Sequence, residues 1–88
     1  MIEAKLTITN DQGLHARPAA QFVQTAAGFK SKVLLTGNNK TVNGKSILSV
    51  LGLGLVRGTE ITIAIDGEDE IDGLATLKAL IEGNFGQR

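Results

Sequence analysis

The residue types best suited to chemistry in this 88-residue chain lie together at positions 13–18, which read GLHARP. His15 is the single histidine of the chain, and Arg17 follows two positions later. A neutral imidazole is a nucleophile near physiological pH, and a guanidinium offers a planar fork of donors that matches phosphate oxygens. This pair predicts that His15 carries a phosphoryl group and that Arg17 stabilises the group electrostatically.

The residues around His15 predict a helix start that would assist the same chemistry. Apolar residues recur at spacings of three and four from Ala16 to Ala27, and Pro18 suits a first helical turn. Amides at a helix start lack internal acceptors, and the helix dipole is positive there, so the position is suited to binding a phosphoryl group. Gly13 lets the backbone bend tightly just before the nucleophile. We therefore expect Gly13, Ala16 and Pro18 to form the loop and helix start that hold the phosphate.

Two other interpretations of His15 were weighed against phosphoryl transfer. An isolated histidine is commonly half-buried and hydrogen-bonded, in which case Arg17 and Pro18 would be ordinary surface residues. A phosphohistidine hydrolase would need a general base or a site that activates water, and residues 13–18 offer neither. The combination of His15, Arg17 and Pro18 at one predicted helix start favours a carrier that passes the group on.

The rest of the chain alternates between strand and helix patterns. Residues 2–8 and 60–66 alternate with a period of two, as strands do, and residues 32–36 and 40–42 flank the hairpin turn Gly37-Asn38-Asn39. A short helix is predicted from Ser46 to about Gly52, and a longer helix from the acidic residues at 68–72 onward. The last helix should bury an apolar stripe, and the glycines after it predict a frayed tail. The stripe comprises Ile71, Leu74, Leu77, Leu80 and Ile81, and the glycines are Gly83 and Gly86.

This order of elements, βαββαβα, predicts the fold class. Amphipathic helices must bury their apolar stripes together, so we expect an α+β open-faced β-sandwich. Its four-stranded, mainly antiparallel sheet would carry all three helices on one face. The length of the chain supports one domain, residues 1–88.

A second candidate site begins at Ser46. Its hydroxyl is placed to accept a hydrogen bond from an amide two or three residues further on, as an N-cap. The short helix that follows is apolar on more than one side, so part of it should meet solvent or a partner. Its six large apolar residues cannot all face the sheet; they are Ile47, Leu48, Val50, Leu51, Leu53 and Leu55.

Composition excludes several classes of function. Nine basic and nine acidic residues cancel, so no net charge draws the chain to nucleic acid. Without cysteine and with one histidine, no metal site is expected, and no motif indicates a cofactor. The longest nearly apolar run, residues 47–56, is about half of the ~20 residues that a membrane-spanning helix needs. With no secretory signal in the first residues, a cytoplasmic protein without membrane insertion is expected.

Four segments together resemble a known family, the histidine-containing phosphocarrier proteins (HPr) of the bacterial phosphotransferase system. They are GLHARPAAQFV at 13–23, GKSIL at 44–48, RGTEITI at 57–63 and GEDE at 67–70. The resemblance implies that His15 is phosphorylated with Arg17 as its partner. It also implies that Ile47, Leu48 and Leu51 contact the partner proteins, and we expect them to form a docking patch together with Leu55. The resemblance further implies that the phosphoryl group comes from phosphoenolpyruvate through Enzyme I and passes to IIA domains of sugar permeases. Such a protein is a covalent intermediate in a transferase pathway and not an enzyme in its own right.

The same resemblance implies two alternatives for Ser46. In many Gram-positive members the matching serine is phosphorylated by an ATP-dependent kinase, with a phosphatase and a catabolite-control transcription regulator as further partners. Such a phosphate would add roughly two negative charges beside the docking patch and would repel an acidic partner surface. In other members the serine is only a helix cap. A regulatory binding module acting through phosphorylated Ser46 is accordingly the alternative function for the chain.

Overall fold

The computed structural model describes residues 1–86 and contains the predicted order of elements. The last two residues of the predicted domain, 87 and 88, lie outside the described residues. The strands are β1 (Ile2–Thr7), β2 (Lys32–Gly37), β3 (Lys40–Asn43) and β4 (Glu60–Asp66). The helices are α1 (Ala16–Ala27), α2 (Ile47–Gly52) and α3 (Glu70–Glu82), and a 3-10 turn follows at Asn84–Gly86.

The four strands form one sheet in the order β1-β4-β2-β3, and all three pairings are antiparallel. Ile65 of β4 lies opposite Ile2 of β1 on one side and Val33 of β2 on the other. Alternate residues of β2 and β4 are fully buried while their neighbours are partly exposed, which places the core on one face of the sheet. The predicted open-faced sandwich is confirmed.

The hairpin between β2 and β3 follows from its two asparagines. Asn38 and Asn39 adopt φ values of 50° and 66°, the left-handed conformation that a two-residue hairpin turn requires and that asparagine tolerates. The Asn38 side chain also donates from Nδ2 to the carbonyl of Leu53 at 2.8 Å. The turn is thereby attached to the segment that follows α2.

The helices cover the buried face of the sheet and complete the core. Phe22 and Ala26 of α1, Val50 of α2, and Leu77 and Ile81 of α3 are fully buried. Fully burying a large aliphatic or aromatic side chain contributes about 1.5–3 kcal/mol, so this layer is the main stabilising element of the fold. The strand residues of the same core are Val33, Leu35, Ile61, Ile63 and Ile65.

The predictions for α3 and the tail needed correction. Ile71 is 75 % exposed, because the residues turned toward the sheet are Gly73, Leu77 and Ile81, each four positions from the next. An added Cβ at Gly73 would lie 2.4 Å from Cδ1 of Ile65, so this glycine lets the helix approach β4. The expected fraying is wrong as far as residue 86, since Phe85 is only 4 % exposed and belongs to the core.

Candidate phosphoryl-transfer site

His15 occupies the N-cap position of α1, where the sequence places it. Its backbone is extended, with φ −117° and ψ 156°, and its side chain makes no capping hydrogen bond. The residue is exposed, and its carbonyl accepts a long bond of 3.5 Å from the amide of Ala19. The imidazole therefore stands in solvent at the start of a 12-residue helix and is not part of the core.

The chain turns sharply between His15 and the helix. Ala16 has φ 44°, a left-handed conformation that costs a residue with a Cβ roughly 1–2 kcal/mol. Residues held in such conformations persist only where the surroundings determine them, and they cluster at functional sites. Pro18 is buried in the first turn, so the helix start is anchored directly after the turn.

The first turn of α1 is electrically positive. The amides of Ala16 and Arg17 have no acceptor within residues 1–86, and Pro18 has no N–H to offer. The first turn contains no acidic residue. Arg17 is exposed, and within the described chain its guanidinium has no carboxylate partner. Two unpaired amides, the positive end of a helix dipole and a permanent cation thus belong to the helix start that His15 caps, a combination suited to a phosphoryl group.

The loop before His15 is packed against the loop after α2. Gly13 is buried with φ 60°, and an added Cβ would lie 2.3 Å from the carbonyl oxygen of Leu55. The amide of Leu14 donates to that same carbonyl at 3.0 Å, and the Leu14 side chain is fully buried. The expected tight bend at Gly13 is present, and the absence of a side chain there lets the backbones of Gly13 and Leu55 approach each other closely.

Ser46 is the N-cap of α2, as predicted. Its hydroxyl accepts a hydrogen bond from the amide of Ser49 at 3.4 Å, a long bond, and the residue is half-buried. The preceding Lys45 donates from Nζ to the carbonyl of Phe29 at 2.8 Å, which joins the start of α2 to the segment after α1. The start of α2 is therefore joined to the end of α1, and not to the helix start at which His15 lies.

Three of the four predicted docking-patch residues are accessible, and Leu55 is not. Leu48 is 80 % exposed, Ile47 is 38 % exposed and Leu51 is half-buried. Leu55 is fully buried, because after Gly52 the chain leaves the helix and directs this side chain onto Gly37. Its assignment to the docking patch is therefore wrong, and its neighbour Val56 is 53 % exposed instead.

The predicted docking patch adjoins a hollow that extends onto α1. Ile47 borders a surface hollow of about 270 Å³ together with Ala20, Val23 and Gln24 of α1. These α1 residues lie five to nine positions after His15, which corresponds to on the order of 10 Å along a helix axis. An apolar surface therefore lies within reach of the exposed imidazole.

Sequence reasoning missed two residues beside this site. Asn10 was not among the predicted site residues, yet it is 2 % exposed and its side chain hydrogen-bonds Gly13. An asparagine shortly before a glycine was the feature of the sequence that could have indicated a side-chain hydrogen bond within this turn. Val56 was not singled out because it ends the nearly apolar run 47–56, in which no periodicity shows which side chains face outward.

Neither a metal cluster nor a membrane-spanning helix was found in the described part of the chain. Over residues 1–86, no group of three or more His, Cys, Asp and Glu side chains is arranged to hold a metal ion. In the same range, no α-helix combines the length and the hydropathy that crossing a membrane requires.

Comparison with known proteins agrees with the resemblance noted in the sequence. A family model described as the PTS HPr component phosphorylation site matches residues 2–83. The phosphocarrier protein HPr of Neisseria meningitidis serogroup A is 44% identical over 87 residues, which cover 99% of this chain and 98% of the relative. The HPr of Xylella fastidiosa strain Temecula1 is also 44% identical, with the same coverage.

Solved structures give the same assignment. The crystal structure of HPr-C-His from Thermoanaerobacter tengcongensis matches with a TM-score of 0.97 and 43% identity, covering 100% of this chain and 99% of that one. An HPr from Bacillus anthracis matches with a TM-score of 0.88 and 36% identity, covering 91% and 95% of the two chains. The fold, the sequence motifs and the family match together show that this chain belongs to the HPr family of phosphocarrier proteins of the phosphotransferase system.

Proposed function

We propose that this chain accepts a phosphoryl group on His15 from phosphorylated Enzyme I, and ultimately from phosphoenolpyruvate, in the cytoplasm. It then passes the group to IIA domains of sugar permeases. The observation that carries the proposal is the exposed imidazole at the N-cap of α1, beside Arg17 and a first turn without acidic residues.

The chemistry follows from the exposure of the ring. A ring nitrogen of His15 attacks the phosphorus of the donor, so that an N–P bond forms as the bond between phosphorus and the donor breaks. The reverse exchange occurs when a nucleophile of the acceptor attacks. In such transfers negative charge is spread over the three equatorial phosphoryl oxygens, and positioning together with electrostatic stabilisation supplies most of the catalysis. We assign that stabilisation to the guanidinium of Arg17 and to the amides of Ala16 and Arg17.

The docking patch explains how partners would reach His15. Both protein partners must come into contact around the reacting phosphorus, so an accessible surface near the ring is required. Leu48 and Ile47, together with the hollow at Ala20 and Val23, offer an apolar surface of this kind. Exposed apolar patches on small proteins commonly mark interaction sites. We assign partner docking to Ile47, Leu48 and Leu51.

Regulation through Ser46 is the second part of the proposal. The Ser46 hydroxyl lies at the start of α2, directly before the exposed residues Ile47 and Leu48. Phosphorylation by a kinase would add roughly two negative charges there and would weaken docking of an acidic partner, and a phosphatase would reverse the effect. The phosphorylated form could also recruit a transcription regulator, in which case the chain would act as a regulatory binding module.

The test of the main proposal is a mass measurement. The purified chain is incubated with phosphoenolpyruvate and Enzyme I, and His15→Ala is treated identically. We expect one acid-labile phosphoryl adduct on the parent chain, none on the variant, and loss of the adduct when a IIA domain is added. An adduct that survives in His15→Ala, or that withstands acid, contradicts the proposal. Addition of ATP and a Ser46 kinase then tests for a second, acid-stable adduct.

A further inference from the structure

A buried amide side chain lies next to the loop that carries His15. Asn10 is 2 % exposed, and it is one of two polar residues buried in the described part of the chain. Its Nδ2 donates to the carbonyl oxygen of Gly13 at 2.8 Å, and the amide of Gly13 donates back to the carbonyl of Asn10 at 3.1 Å. Residues 10–13 therefore form a turn closed by a backbone bond and a side-chain bond.

The two hydrogen bonds around the Gly13–Leu14 peptide unit hold it at both ends. Its carbonyl oxygen accepts from Asn10, and its N–H, which belongs to Leu14, donates to Leu55 at 3.0 Å. Because a peptide unit is planar, holding both ends fixes the orientation of the whole plane. Gly13 could otherwise rotate this plane, since glycine has access to conformations on both sides of the φ map. One residue, Leu14, separates this fixed plane from His15.

The presence of an asparagine here has an energetic cost. Its Oδ1 is buried and has no hydrogen-bond partner within residues 1–86. A buried acceptor without a partner is unfavourable, and an apolar residue of similar size would avoid that penalty. An apolar residue would also leave the carbonyl of buried Gly13 without this donor. The carboxamide of Asn10 therefore contributes a hydrogen-bond donor to the carbonyl oxygen of Gly13.

We propose that Asn10 is a positioning residue for phosphoryl transfer at His15, an inference that rests on the function proposed above. The Asn10 carboxamide fixes the Gly13–Leu14 peptide, and this peptide sets the direction from which the His15 side chain leaves the backbone. The ring itself makes no capping hydrogen bond, so its placement depends on the backbone that carries it. Misplacement of a reacting group by about 1 Å can cost roughly a hundredfold in rate.

The experiment measures kcat and KM for phosphorylation of the chain by Enzyme I. The variants are Asn10→Ala and Asn10→Ser, and the matched control is Ser31→Ala. Ser31 is the other buried polar residue, and it hydrogen-bonds Asp69 at the start of α3, away from the first turn of α1. All proteins are assayed well below their unfolding temperatures, so that loss of fold does not enter the rates.

We expect Asn10→Ala to lower kcat by roughly tenfold or more, while KM stays within about twofold because the docking patch is unchanged. Ser31→Ala should keep both constants. Asn10→Ser retains a small polar group in the turn but is shorter than the carboxamide, so it should also lower kcat, and it decides the question if Asn10→Ala does not fold.

Two results would overturn the positioning role. One is a parent-like kcat in a folded Asn10 variant. The other is an equal fall in kcat for Asn10→Ala and Ser31→Ala at equal loss of stability, which would indicate a general loosening of the fold. If the parent chain takes up no phosphoryl group at all, the proposed function itself fails, and that result is separate from the comparison among variants.

Discussion

The amide of Leu14 donates to the carbonyl oxygen of Leu55 across 3.0 Å, and both side chains are fully buried. This bond joins the loop that leads into α1 to the loop that leaves α2. The loop before His15 and the segment after α2 are therefore one packed unit. Changes at their contact should affect stability and phosphoryl transfer together.

Gly13 is the residue that permits this contact. Gly13→Ala would force a left-handed φ on alanine and would place a Cβ 2.3 Å from the Leu55 carbonyl oxygen. We expect a loss of at least about 2 kcal/mol in the free energy of unfolding, measured with urea, together with slower phosphorylation. Gly54→Ala is the matched control, because Gly54 has φ +66° but open space around it. A loss no larger than that of Gly54→Ala would contradict the close contact at Gly13.

Variants of Arg17 test how its charge affects the rate of phosphoryl transfer separately from any effect on stability. Its guanidinium is exposed and has no carboxylate partner within residues 1–86, so Arg17→Ala should leave the unfolding free energy nearly unchanged. The rate of His15 phosphorylation should fall by roughly ten- to a hundredfold, since a charge that stabilises the transferred group is lost. Arg17→Lys keeps the charge but loses the planar fork, and we expect an intermediate rate.

Arg57 supplies the control for that experiment. It is also an exposed arginine, but its guanidinium is already paired with Asp11 at 2.8 Å. Rates for Arg57→Ala should stay close to those of the parent chain. An equal effect of the Arg17 and Arg57 variants would show that only the overall charge matters.

Local patterns in the sequence predicted the elements, and tertiary contacts decided the details that the sequence missed. The bounds of α1 and β4 agree with the prediction, because periodicities of 3.6 and 2 are properties of a segment by itself. Ile71 was placed on the wrong side of α3, because the small size of Gly73 allows that face to approach Ile65. Only the packed structure contains that information.

The candidate site shows the same difference between features that a short segment determines by itself and features that depend on tertiary contacts. His15, Arg17 and the helix start could be located from residue types, because an N-cap position and an adjacent arginine are local features. Leu55 could not be separated from Leu48, since both belong to a continuous apolar run without a period. Burial of Asn10 was equally invisible, because the turn that it closes at Gly13 packs against Leu55, more than 40 residues away along the chain.

The docking patch can be tested with two exposed apolar residues. Leu48 is 80 % exposed and directly follows Ile47, which borders the hollow on α1, whereas Ile71 is 75 % exposed at the start of α3. Loss of a leucine side chain from an interface removes at most roughly 1.5–3 kcal/mol of apolar burial, so Leu48→Ala should raise the KM for Enzyme I by at most about ten- to a hundredfold. Ile71→Ala should not change KM. Equal effects of the two variants would show that partners do not dock on the patch.

Two variants of Ser46 distinguish its role as a helix cap from the effect of a negative charge at the same position. Ser46→Ala should cost at most about 1 kcal/mol of stability, because its bond to Ser49 is long, and phosphoryl transfer should continue at the parent rate. Ser46→Asp keeps a capping acceptor but adds a negative charge at the start of α2, and we expect a higher KM for Enzyme I. Unfolding by urea and steady-state transfer assays distinguish the two effects. An unchanged KM in Ser46→Asp would contradict regulation by repulsion.

The carboxylate of Asp69 makes the stability of the fold depend on acidity. It accepts hydrogen bonds from the Ser31 hydroxyl, from the amide of Lys30 at 2.8 Å and from the amide of Ser31 at 2.9 Å. The Ser31 hydroxyl has the largest effect, and these bonds lower the pKa of Asp69 from 3.8 to about 2. Because the pKa is lower in the folded state, the stabilisation is present above about pH 4 and is lost as the pH falls toward about 2.

Urea unfolding between about pH 2 and pH 6 should therefore show a fall in stability across that window. Asp69→Asn cannot change its charge, so its stability should vary less with pH over the same range. Ser31→Ala removes the main cause of the lowered pKa, so the pKa of Asp69 should rise and its stabilising contribution above about pH 4 should shrink. If Asp69→Asn kept the full pH dependence of the parent chain, other carboxylates would have to carry it, and the hydrogen bonds between Asp69 and the segment before β2 would not act as this geometry requires.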